Sequence, residues 1–138
     1  MRSPLVLSVL AALLVASVAL ADKPQTATAT IDQLGASGIS GTADLRIDQS
    51  GNARIHEQLS GLTPGAEYVS VIYLNTQSCG SGLGVVPVEL MTFTANPAGR
   101  ATFNTVIPPQ AVPAVEGGAS ISIQQGSTLL ACGVVVPE

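Results

Sequence analysis

The sequence has no tryptophan, two tyrosines, two phenylalanines, two cysteines and one histidine in 138 residues. Each shortage excludes something. Two thiols and one distant imidazole, His56, are too few for a transition-metal centre, which draws on several N or S ligands. Five Lys and Arg against nine Asp and Glu give a formal net charge of −4 at pH 7. A chain so poor in cations makes a weak binder of nucleic acid or of an anionic membrane surface. No Asn-X-Ser/Thr glycosylation acceptor is present. With so few rings, a core has to be built of Val, Leu, Ile and Ala, with Tyr68, Tyr73, Phe93 and Phe103 as its large pieces.

What is present begins with an apolar leader. Arg2 precedes an apolar run from Leu5 to Val18, Ala19-Leu20-Ala21 is a small-residue cleavage pattern, and Asp22-Lys23-Pro24 starts polar sequence. This is the build of a secretory signal peptide over residues 1–21. A single membrane-spanning helix is the alternative, and the run is short for it. No cysteine follows the run to carry a lipid anchor, and no later stretch approaches membrane-spanning length. The expected mature chain is one domain, residues 22–138, secreted or periplasmic, with one more negative charge once Arg2 is gone. In such a compartment the cysteine pair, Cys79 and Cys132, reads as a disulfide. The long loop it closes gives a chain-entropy stabilisation of about 4 kcal/mol at most.

Helix signals are nearly absent after residue 22, while alternating strand patterns recur between turn residues. They cover Thr26–Leu34, Ile39–Asp48, Ala53–Leu59, Tyr68–Leu74, Val88–Ala95, Ala101–Ile107, Ala119–Gln125 and Leu129–Val136. Between the sixth and seventh, Pro108 to Gly118 is a Pro/Gly-rich connector that blocks regular pairing. The expected fold is all-β: a Greek-key antiparallel β-sandwich or flattened barrel of about eight strands. In the fourth strand Tyr68, Ser70, Ile72 and Leu74 point one way, and Val69, Val71 and Tyr73 the other. One face suits a core, and the other carries no acid, base, thiol or imidazole.

Chemistry-bearing motifs are sparse. His56 shares a polar face with Arg54 and Gln58, opposite Ile55, Glu57 and Leu59, and reads as a solvated surface imidazole. Gly80-Ser81-Gly82-Leu83-Gly84 lacks the following Lys and helix of a phosphate loop, and reads as slack beside Cys79. Asp44, Asp48, Glu57 and Glu67 read as surface charges spread over strands. Serines are many, but none has a visible His–Asp partner, so no nucleophile is nominated.

Two stretches together carry a resemblance. Gly61-Leu62-Thr63-Pro64-Gly65 feeding the fourth strand and then Cys79, with Leu130-Ala131-Cys132-Gly133-Val134 near the end, resembles the Cu/Zn superoxide dismutase family. The strands fall in order over most of Thr26 to Val136. The resemblance implies that family's Greek-key barrel and again a Cys79–Cys132 bridge. It also implies copper-ligand histidines at three positions, which are Ser70, Ile72 and Gln124 here. The loop that would carry bridging and zinc ligands is reduced to residues 75–87, without His or Asp, and the anion-guiding arginine is replaced by Leu129. His56 matches no ligand position. Ser, Ile and Gln cannot replace imidazoles in copper redox chemistry. A weaker resemblance, through the same Gly61–Gly65 turn, is to the chordin-type CHRD domain.

The expectation is therefore an exported, superoxide dismutase-like domain that is not an enzyme, has no cofactor and serves as a binding or structural module. Its partner is an unidentified protein or small ligand, with a homodimer as one form. A patch including Ile72 and Leu74 would favour a protein partner, and an enclosed pocket a small ligand. The alternatives are a CHRD-like interaction domain, or dismutase activity with a non-standard metal site.

Overall fold

A computed structural model describes residues 25–80 and 82–138. The Met1–Ala21 leader and its cleavage point lie outside the described residues. Each alternating segment forms a strand: β1 (Gln25–Gln33), β2 (Ser40–Ile47), β3 (Ala53–Ser60), β4 (Glu67–Leu74), β5 (Val86–Thr94), β6 (Ala101–Ile107), β7 (Ala119–Gln125) and β8 (Thr128–Val134). A two-residue β9 (Val136–Pro137) follows.

All pairings are antiparallel, and the strands run in the order β5-β4-β7-β8-β1-β2-β3-β6, with β9 also on β1. β5 and β6, the two ends of this path, come together without a hydrogen-bonded ladder, so the sheet is nearly closed into a flattened barrel. β3 connects to β4, and β6 to β7, though neither pair is adjacent. These are the Greek-key crossings. β1 joins the two halves: Asp32 and Gln33 pair with Cys132 and Ala131 of β8, and Ala27 and Thr28 pair with Pro137 and Val136.

The interior is aliphatic, as composition requires. Ile31, Ile55, Ile72, Ile107, Ile121 and Ile123 are fully buried. Tyr68, Phe93 and Phe103 form its aromatic column, with ring centroids 5.8 and 4.7 Å apart. The Gly61–Gly65 turn is fixed from both sides. Gly61 has φ of +78°, and a Cβ there would lie 2.0 Å from the Gly38 carbonyl oxygen. The Thr63 N–H donates to Tyr68 Oη at 2.9 Å. Gly133 has a similar reason in the last motif. A Cβ there would lie 2.3 Å from Thr30 O, so only glycine lets β8 reach β1 beside Cys132.

The connector between β6 and β7 differs from expectation, because it is partly helical. A 3-10 turn (Pro109–Ala111) leads into a five-residue helix, α1 (Val112–Glu116). Proline at the start of each turn pre-sets φ for helix, and Val112 and Val115, three residues apart, both bury against the core. No helix among the described residues is long and apolar enough to cross a membrane.

Candidate functional site

The three positions that the resemblance assigns to copper histidines do not converge. In the β4–β7 ladder Ser70 pairs with Ile123 and Ile72 with Ile121. These four share the inward face, and all have 0 % exposed surface. The face carrying Ser70 and Ile72 is thus the core face, not an open one, and Ile72 and Leu74 are unavailable as a partner patch. Gln124 pairs with Val69 and lies on the outward face, where its Nε2 donates to Tyr73 Oη at 2.6 Å. Alternation puts Ser70 and Gln124 on opposite sides of one sheet. The donor set does not fit a copper or zinc ion in position or in chemistry.

The outward face of β4, β7 and β8 is itself covered. Tyr73 reaches along it to Gln124, and Ser120 and Ser122 beneath are fully buried with unpartnered hydroxyls. Ser122 is opposite Cys132, which bridges to Cys79 across a sequence separation of 53 with a Cα–Cα distance of 6.1 Å. The disulfide pins the β4–β5 loop to the last long strand. The same loop touches the α1 connector, where Asn75 N–H and Thr76 N–H donate to Gly118 O. Leu83, beyond the bridge, is wholly exposed.

Inside the barrel is a group that a surface reading of the acids misses. Glu57 is 0 % exposed, not a surface charge. It lies between Ala43 of β2 and Phe103 of β6. Ser70 Oγ donates to its Oε2 at 2.7 Å, while Oε1 has no partner. Thr105, two residues from Phe103 on the same face, also has an unpartnered buried hydroxyl. Burial pushes the Glu57 carboxyl up to about 7 from 4.5, against the lowering effect of the Ser70 bond. Alternation already places Glu57 with Ile55 and Leu59, and that was the available signal. A carboxyl sealed from solvent reaches no substrate, so the pair is a buried polar tie rather than an acid–base site.

His56 is on the outer face as expected. Its Nδ1 is 2.8 Å from Asn104 Oδ1 and its Nε2 is 3.1 Å from Gln58 Nε2. The two bonds agree with a proton on Nδ1, donated to Asn104, while the Gln58 amide donates to Nε2. Both ring nitrogens are then engaged. No group of three His, Cys, Asp or Glu among the described residues is placed to hold a metal ion.

Among the described residues a concavity at the barrel mouth, where β1 begins, has a volume of about 610 Å³. Its floor is Ala27, Leu45 and Ile47, and its walls include Val115, Val134 and Val136. Glu116 and Glu138 are also among its lining residues. No local pattern signals it, because its walls come from β1, β2, α1 and the segment after β8.

No protein-family model matches this chain, and no curated protein sequence matches it.

Proposed function

We propose that this chain is an exported, non-catalytic barrel of the Cu/Zn superoxide dismutase-like type that acts as a binding module. The observation that carries the reading is the split of the copper positions, with Ser70 and Ile72 sealed inward and Gln124 outward. A redox copper centre needs imidazoles converging on one ion, and the lone imidazole of this chain is on β3, engaged by its neighbours. The turn from Gly61 to Gly65, the Cys79–Cys132 bridge and the close packing at Gly133 support kinship with that barrel, although a shared fold does not carry an activity with it. The cleft at the barrel mouth favours a small ligand over a protein partner, since its volume is in the usual range for small-molecule sites, about 300–1,000 Å³.

The test is to load the purified protein with copper and zinc, dialyse it, and measure retained metal and superoxide dismutation. The expected result is no stoichiometric copper and no activity, in wild type and in His56→Ala alike. Retained copper with activity that His56→Ala removes would overturn the reading. Intact mass of natively purified protein checks the export half: a chain beginning at Asp22 is expected, and one retaining Met1 to Ala21 would sink it.

A further inference from the structure

We infer that the barrel-mouth cleft binds an apolar molecule carrying a cationic amine. This deepens the binding-module reading and rests on it. The floor of the cleft is the open end of the barrel interior, where Ala27 and Leu45 face each other across the β1–β2 ladder and Ile47 pairs with Gln25. Val115 of α1 and Val134, Val135 and Val136 continue the apolar wall. An alkyl body placed there leaves water, which favours binding against the cost of ordering it.

Charge decides the head group. Glu116 and Glu138 both line the cleft, and among the described residues no Lys, Arg or His lines it. The neutral polar groups on the rim are those of Gln25, Thr26 and Gln77. Among the described lining residues the only formal charges are these two carboxylates, which repel an anionic head and attract an ammonium. The arginines of the neighbouring strands, Arg46 and Arg54, are not part of the lining; they pair with each other across β2 and β3 on the outer face. A second copy of the chain would call for a flat or protruding apolar surface. This one is concave and of small-molecule size.

The disulfide has a place in this arrangement. Gln77 is on the loop that Cys79 ties to Cys132, and the loop leans on Gly118, itself a lining residue. The bridge therefore ties the loop that carries Gln77 to β8, whose Val134 is one wall of the cleft.

The probes are octylammonium, octanol and octanoate, which share a chain length and differ in head group. Each is titrated below its micellar concentration into ¹⁵N-labelled full mature protein at pH 7, with backbone amide shifts as readout. Octylammonium should shift the amides of Leu45, Val115 and Val136 in a saturable way, and bind roughly ten-fold tighter than octanoate. The Glu116→Gln/Glu138→Gln double variant should bring octylammonium down to the octanol affinity and leave octanol binding unchanged. Both glutamates are exposed, so folding should survive the change. Equal affinity for octanoate, or shifts that avoid the cleft, would overturn the inference. So would movement of the same amides with protein concentration alone, which would assign the cleft to a second copy. If no probe shifts the cleft amides, the ligand class is wrong. The binding-module reading falls separately, only if metal loading restores dismutation.

Discussion

Ser70 Oγ donates a 2.7 Å hydrogen bond to Glu57 Oε2 inside the barrel, and neither residue has any exposed surface. The bond crosses from β4 to β3, two strands that are not neighbours in the sheet. It therefore ties one half of the flattened barrel to the other through the interior, where the alternative partners of both groups are gone.

That placement makes stability depend on pH. The Glu57 carboxyl titrates at about 7 in the folded chain against 4.5 as its ordinary value, so the native state holds the proton more tightly than the unfolded state. The stabilisation is complete below the ordinary value and is lost as pH rises through about 7. The shift corresponds to about 3 kcal/mol. Guanidinium unfolding at a series of pH values from about 4.5 to about 8 should show this decline, and Glu57→Gln should flatten it. The inward positions of β2, β4 and β6 hold no Lys, Arg or His, and Tyr68 is their one other titratable group. Asp48 works in the opposite sense at the acid end. The Asn52 and Ser50 N–H groups bond its carboxylate and hold it below the usual range, so its contribution is lost as pH falls.

Cys132→Ser, which opens the bridge to Cys79, should lower unfolding free energy by about 2–4 kcal/mol. Urea titration of the variant against wild type measures it. Wild type treated with a reductant after unfolding should show the same loss on refolding, and equal stability of oxidised and reduced protein would contradict the expectation.

Gly133→Ala should cost about 2 kcal/mol or more, since the new Cβ would meet Thr30 O at 2.3 Å and force β8 off β1. Gly82→Ala, in a loop position where the nearest atom is the Val85 Cγ2 at 3.8 Å, is the control and should change little. Thermal unfolding of the two separates them.

Tyr73→Phe removes the acceptor of the Gln124 amide and should lower stability by about 1 kcal/mol. The ring remains to cover Ser120 and Ser122, so the fold itself should persist, with the change visible as a lower denaturant midpoint at an unchanged slope.

Eight strands were readable because alternation is a local property, visible in runs such as Ala53–Ser60, where buried and outward residues take turns. β4 shows where alternation stops informing. Both of its faces are largely apolar, because Tyr73 and its neighbours cover the outer one. Periodicity then gives two faces without saying which is inside. Glu57 has the right parity for the core, but parity alone does not offset the cost of burying an isolated carboxylate. Ser70, distant in sequence, supplies the compensating donor. The helix at Val112–Glu116 was hidden by its prolines, which signal a break within a helix but a start at its first turn. The cleft was not legible at all, since Leu45, Val115 and Val136 meet only through the topology.

The double use of β1 has a kinetic consequence. One edge of β1 is satisfied early by β2 through a short turn, whereas the other waits for residues 131–137, with Asp32 facing Cys132. Contacts that distant in sequence form slowly, because a long stretch of chain must be ordered before they repay the cost. Throughout that interval β1 is an open edge, the kind of surface on which unfinished chains pair with one another. Ile31 apart, its residues are polar, small or hydroxylated side chains, with Thr26 to Thr30 offering little apolar surface to a stranger. The plain Thr-Ala repeat that opens the barrel thus keeps the waiting edge quiet until the end of the chain arrives to close it.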